Sequence, residues 1–184
     1  MLHLKNYTIK IPKNINLILC NNILTIKGPL GTRKLLISNN IFLNKNKTHL
    51  IITEKSLVKM SFTKNKKTLQ STTVSVINFV IYGLRFGFDK QLVIVGVGYK
   101  AYKEKDSSFL NLKLGYSHLI KIKIPNNLIV SCPKPTLINI FGISKSTVNE
   151  FASKIRSLKS PEPYKGKGIK YFDEIIIKKE GKRS

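Results

Sequence analysis

Apolar residues in the first half of this chain fall in short blocks of strand length: Tyr7 to Pro12, Ile15 to Cys20, Ile23 to Lys27, Lys34 to Ile37 and His49 to Thr53. Asn21-Asn22 separates two of these blocks, and asparagine tolerates the left-handed conformation that a tight hairpin requires. The period then changes. Leu69, Thr73, Ile77, Val80, Ile81 and Leu84 place a mainly apolar stripe on one face of a helix running from about Thr68 to Arg85. Phe86-Gly87-Phe88-Asp89 ends that helix and marks a domain boundary, giving an N-terminal repeat over residues 1–86 and a C-terminal repeat over residues 87–184.

The second half repeats the plan. Gln91 to Val95, Tyr99 to Lys103, Phe109 to Leu114, Ile120 to Ile124, Leu128 to Cys132 and Leu137 to Phe141 read as strands, with a turn at Asp106-Ser107-Ser108. A second helix is expected from about Ser146 to Leu158. Val148, Phe151, Ile155 and Leu158 share one face, while Lys145, Lys154, Arg156 and Lys159 lie off it. Thr147 and Glu150 have capping-box spacing, with Ser144 and Ser146 as alternative caps.

The two halves align. Ile11-Pro12-Lys13-Asn14-Ile15-Asn16-Leu17 matches Ile124-Pro125-Asn126-Asn127-Leu128-Ile129-Val130, and Ile26-Lys27-Gly28 matches Ile140-Phe141-Gly142 after one inserted residue. The expected fold class is therefore α+β: two tandem duplicated domains, each an antiparallel sheet packed by one main helix.

Charge narrows the function. Against 33 Lys and Arg stand nine Asp and Glu, a formal net charge of +24 on 184 residues. Self-repulsion of that size opposes a compact state unless a polyanion or salt neutralises it, so nucleic acid is the expected partner. The chain is 42% hydrophobic in periodic blocks and should fold. Arginine occurs only at Arg33, Arg85, Arg156 and Arg183. Lysine is a flexible point charge without arginine's rigid fork, which suits phosphate neutralisation and recognition by shape more than bidentate base reading. The longest apolar run, Val74 to Tyr82, is interrupted by Ser75 and Asn78. It falls well short of the roughly 18 residues of a bilayer span, so no membrane partner is expected. An excess of Lys, Asn and Ile without Trp is also the mark of an A+T-rich genome and points to an organelle. Met1 to Asn6 has neither a signal-peptide run nor the start of an amphipathic presequence, so synthesis is expected where the protein works.

The segment richest in chemistry is Ser160-Pro161-Glu162-Pro163-Tyr164-Lys165-Gly166-Lys167-Gly168-Ile169-Lys170-Tyr171. Two prolines stiffen its entry and two glycines permit close backbone approach, while Lys165, Lys167 and Lys170 attract phosphates and Tyr164 and Tyr171 offer stacking faces. No strand or helix periodicity runs through it, and the competing reading is a solvated basic linker. A side chain at Gly166 or Gly168 would hold the backbone off an RNA surface.

Other chemistries are weaker. Cys20 and Cys132 with His3, His49 and His118 lack metal-ligand spacing, and both cysteines read as small buried hydrophobes. Gly96-Val97-Gly98-Tyr99-Lys100-Ala101 matches a dinucleotide fingerprint, yet strand alternation continues where a helix must begin, and no acidic residue stands about 20 positions on. No cofactor or small-molecule substrate is expected. The glycines there fit a bulge or the approach of an RNA backbone. Nine scattered carboxylates, with only Asp173-Glu174 adjacent, argue against an enzyme. A basic DNA-binding nucleoid protein is the runner-up.

Gln91-Leu92-Val93-Ile94-Val95-Gly96-Val97-Gly98-Tyr99-Lys100-Ala101, Leu114-Gly115-Tyr116-Ser117-His118 and Pro161 to Tyr171 resemble the bacterial-type sixth protein of the large ribosomal subunit. The hairpin Ile23 to Gly28 also resembles that family, whose fold is a tandem α+β pair. The resemblance implies binding of large-subunit ribosomal RNA beside the factor-binding centre, close to the sarcin-ricin loop and stalk base. Neighbouring ribosomal proteins would lie there, and translation factors nearby. The residues expected to face RNA are Gly98, Tyr99, Lys100, Lys154, Lys159, Pro161, Pro163, Tyr164, Lys165, Gly166, Lys167, Gly168, Lys170 and Tyr171. The expected location is a mitochondrial ribosome, with the protein organelle-encoded and the plastid as alternative.

Overall fold

Asn21 takes φ +51°, the only non-glycine residue with positive φ among those described, and turns the chain where the sequence sets its Asn-Asn pair. The computed structural model describes residues 7–46, 48–54, 64–104 and 107–180. Asp106 of the expected turn, the Met1–Asn6 segment with His3, and Arg183 lie outside these. The chain divides into two compact units, residues 1–87 and 88–184.

The first unit runs β1 (Tyr7–Lys10), β2 (Asn16–Cys20), β3 (Ile23–Gly28), β4 (Gly31–Leu36), β5 (Ile41–Lys45), β6 (His49–Glu54) and α1 (Lys64–Arg85). Two three-stranded antiparallel sheets result, ordered β1-β6-β5 and β2-β3-β4. Helix α1 packs on strands of both, namely β1, β3, β4 and β6. Its buried face carries Ile77, Ile81 and Leu84, and Leu24, Ile26, Leu50 and Ile52 of the strands are also buried. Leu69, expected on that face, is instead exposed, and the helix starts four residues before the expected Thr68. The charged and polar first turn has no apolar residue to mark it.

The second unit runs β7 (Phe88–Val95), β8 (Lys100–Tyr102), β9 (Phe109–Lys113), β10 (Ile120–Lys123), β11 (Leu128–Lys134), β12 (Leu137–Gly142), α2 (Lys145–Leu158) and β13 (Gly168–Tyr171). The sheets are β11-β12-β7-β13 and β10-β9-β8. Leu92, Ile94, Leu110, Leu112, Ile138 and Ile140 from both sheets join Val148, Phe151, Ala152 and Ile155 of α2 in one buried cluster. The larger of these side chains each contribute roughly 1.5–3 kcal/mol through removal from water. Ser144 is the N-cap of α2 in an extended conformation, and the Thr147 hydroxyl donates to the Ser144 carbonyl at 3.0 Å, so the Thr147/Glu150 capping box does not form.

The internal repeat is visible in detail. The Pro12 carbonyl accepts from the Ile15 N–H at 3.1 Å, and the Pro125 carbonyl accepts from the Leu128 N–H at 3.0 Å. Each turn leads into a hairpin, β2–β3 or β11–β12, that ends on a glycine against its unit's helix. A Cβ on Gly28 would lie 2.8 Å from Leu84 Cβ, and one on Gly142 would lie 3.0 Å from Val148 Cγ2. Beyond the glycine the two repeats diverge, since β4 continues the chain after Gly28 and α2 begins soon after Gly142.

Two strands go beyond the sequence reading, β5 and β13, and a second burial expectation fails. Cys20 ends β2 on an exposed position, while Cys132 is half-buried, its thiol pushed up by burial with Lys103 opposing. No described helix is long and apolar enough to cross a membrane.

Candidate nucleic-acid interface

The segment expected to be irregular is a built structure. After α2 the Ile169 N–H donates to the Lys159 carbonyl at 2.8 Å, closing the two ends of the Ser160–Gly168 excursion. Inside it, the Glu162 N–H donates to Lys167 O and the Gly166 N–H to Glu162 O, both at 2.9 Å. Gly166 adopts φ +70°, which makes this tight return possible. Tyr164, Lys165 and Lys167 are left exposed. Gly168, at φ +137°, approaches the chain's own backbone closely: a Cβ there would lie 2.6 Å from Ser160 O and 2.9 Å from Lys159 O. Residues 168–171 then pair with β7 as the sheet's edge strand, with Ile169 opposite Ile94. These bonds tie the segment into a turn closed on its own backbone.

Glu174 fixes the exit. Its carboxylate accepts from Arg156 Nη2 at 2.5 Å and Nε at 3.1 Å, and from the Tyr171 N–H at 3.0 Å. The Arg156 hydrogen bond holds this carboxyl below its ordinary range, and the same bond raises the guanidinium further. Asp173 and Glu174 thus lie in the turn that follows β13 and not within a strand. The tail returns to the loop where the Lys179 N–H donates to Pro163 O at 2.9 Å. Between loop and tail lies an open groove of about 540 Å³ to which Lys165, Lys170 and Lys178 contribute, with Gly166 and Phe172 also in its wall. Lys178 has no motif in the sequence to single it out. The alternation of Ile175 and Ile177, both nearly fully exposed, with half-buried Ile176 is the pattern that places it.

The other candidates divide by what already occupies them. Tyr171 is half-buried, with Arg156 Cζ 5.6 Å and Lys90 Nζ 5.1 Å from its ring centre, so its stacking faces serve the fold. Tyr164 is 55% exposed and open. Lys159 Nζ stands 4.9 Å over the Tyr116 ring, whose hydroxyl donates to Leu158 O at 2.9 Å. Lys154 is exposed on α2, Pro161 half-buried and Pro163 exposed. Gly96 and Gly98, at φ +153° and +76°, turn the chain between β7 and β8. Tyr99 is a packing residue there, because Cβ atoms on Gly96 and Gly115 would meet its ring at 2.6 and 2.9 Å. No helix follows this turn, which leaves the dinucleotide pattern without its phosphate-binding terminus. Lys100 is exposed on β8.

The family model described as ribosomal protein L6 matches residues 95–172, which hold every candidate above except Lys178. The large ribosomal subunit protein uL6 of Mycoplasma genitalium is 45% identical over 181 residues, covering 96% of this chain and 94% of that protein. The chain belongs to this family. The proteins of the same name in Mesoplasma florum and Streptococcus agalactiae are 42% and 37% identical to this chain, each with 99% of this chain and 98% of the relative covered. Family likeness spans both units, although the matched model covers only the second. Among the described residues, no three His, Cys, Asp or Glu side chains converge as a metal site.

Proposed function

We infer that the chain is a structural, non-catalytic constituent of the large ribosomal subunit. It binds large-subunit ribosomal RNA near the factor-binding centre, by the sarcin-ricin loop and stalk base. The observation that carries the reading is the hydrogen-bonded Ser160–Gly168 loop, which holds Lys165 and Lys167 out from a rigid backbone in a family of ribosomal proteins. Lysines on a fixed frame neutralise phosphates and release counterions while losing little backbone entropy on binding. The exposed Tyr164 ring accepts an unpaired base or a sugar face. Neighbouring ribosomal proteins and passing translation factors complete the environment. The composition that pointed to an organelle equally marks an A+T-rich bacterial genome, and the named relatives are bacterial, so a mitochondrial or plastid location gains no support.

Sedimentation of a native lysate at moderate salt tests the reading. The chain should travel with large subunits and leave them at high salt. Co-sedimentation with DNA, or turnover of RNA by the pure chain, would replace it with the nucleoid or enzyme reading.

A further inference from the structure

Strand register places a second basic and aromatic surface well away in sequence from the loop. In the β8–β9–β10 sheet, Lys100 pairs with Lys113, Tyr102 with Asn111, Asn111 with Lys121, and Phe109 with Lys123. Directly paired residues share a face, and residues two apart along a strand do as well, so these seven side chains stand on one side. The opposite side carries Ala101, Leu110, Leu112 and Ile122, all in the buried core. Four lysines on the outer side are exposed, as are Tyr102 and Phe109, each 43% accessible. Core packing explains the inner face; it leaves this one without a purpose.

Two features point to an anionic ligand with hydrogen-bond donors. Lys100 directly opposes Lys113, an arrangement that destabilises a sheet unless an anion lies between the charges. Asn111, in the row between Tyr102 and Lys121, is 4% exposed, and its Oδ1 has no hydrogen-bond partner. Its Nδ2 is already directed to Glu104 Oε1 at 3.4 Å, which leaves a lone acceptor beneath the face. We propose that this face is a second RNA contact, binding a single-stranded segment. Phosphates lie along Lys100, Lys113, Lys121 and Lys123, unpaired bases stack on Tyr102 and Phe109, and a ribose hydroxyl or base amino group donates to Asn111. Tyr102 and Phe109 are diagonal neighbours across β8 and β9, roughly 7–8 Å apart by sheet geometry, a spacing that receives two bases splayed from a stack. The proposal takes from the function above only that the partner is RNA.

The test uses the full chain, a labelled oligouridylate of about eight nucleotides, and a large-subunit RNA fragment. Tyr102→Leu and Phe109→Leu keep apolar strand residues but remove the rings, and each should weaken oligouridylate binding about five-fold or more. Tyr102→Phe should restore it. Should a leucine variant melt early, Lys121→Gln and Lys123→Gln at exposed sites give an independent reading: each should flatten the slope of log affinity against log salt by about 0.7. Loop variants Lys165→Gln and Lys167→Gln should weaken oligouridylate binding less than the sheet variants do, and the ribosomal fragment more. Wild-type oligouridylate affinity and slope in the ring and lysine variants overturn the proposal, and so does a loss seen only in the loop variants; both leave the ribosomal reading standing. A chain that binds oligouridylate through this face yet ignores the ribosomal fragment upholds the proposal and sinks the ribosomal reading.

Discussion

Residues 1–87 and 88–184 are almost equally basic but are organised differently. The first unit holds fourteen Lys and Arg with Glu54 as its sole carboxylate; the second holds nineteen with the other eight carboxylates. By net charge alone the first unit would attract RNA at least as well. The second unit uses its acidic segments to build shape: Glu174 pins Arg156 and the turn after β13, and the backbone of Glu162 closes the loop that presents Lys165 and Lys167. In the first unit, Lys27 and Lys34 share the outer face of the β2–β4 sheet with exposed Ile18, Ile23 and Leu36, and no comparable loop is present among the described residues. On the proposed reading, charge attracts RNA to both units, and among the described residues only the second adds a hydrogen-bonded loop to fit it.

Substitutions that attack the fixed geometry should have the largest effects. Gly168→Val drives a Cβ into Ser160 O at 2.6 Å and strains φ +137°, and should cost the folded state about 3 kcal/mol or more by urea denaturation. Gly166→Val meets only Lys178 Cε at 3.7 Å, so its cost is the strain of φ +70°, about 1–2 kcal/mol. That contrast separates a glycine closed in by backbone from one with open space around it, a distinction the sequence, with both in the same Lys-Gly alternation, does not draw. A similar contrast holds between the units. Gly28→Ala meets the Leu84 carbonyl at 3.0 Å as well as its Cβ and should cost about 2–3 kcal/mol. Gly142→Ala meets chiefly the movable end of Leu128 and should cost about 1 kcal/mol.

Elements with their own periodic signal were legible in the sequence. The hairpin at Asn21-Asn22, α2 with Val148, Phe151 and Ile155 buried, and the β7 to β12 strands obey local alternation. β13 was hidden because Gly168 and the preceding prolines carry loop chemistry, and its strand form depends on pairing with β7. β5 was hidden because Asn39-Asn40 and Asn44-Lys45-Asn46 crowd a short apolar core of Ile41 to Leu43. At the site, residue types were readable but partners were not: nothing in the sequence says that Tyr171 is covered by Arg156 and Lys90 while Tyr164 is open.

Two smaller effects sharpen the comparison. Lys165→Ala and Lys167→Ala should each flatten the salt dependence of ribosomal RNA binding by about 0.7–0.9, whereas Lys27→Ala and Lys34→Ala should leave the slope unchanged. Acid should act through Glu174. Its folded pKa is depressed, so its contribution is complete above about pH 4.3, the unfolded value, and is lost as pH falls through the lower folded value. Glu174→Gln should lower the urea midpoint at neutral pH and reduce its further fall in acid.

The most direct measurement is ultraviolet crosslinking of the chain within assembled large subunits, with identification of the crosslinked peptides. Peptides spanning residues 159–180, with Tyr164 prominent, should carry ribosomal RNA, and those spanning residues 16–36 should not. RNA on the 16–36 peptides with none on 159–180 would contradict the account.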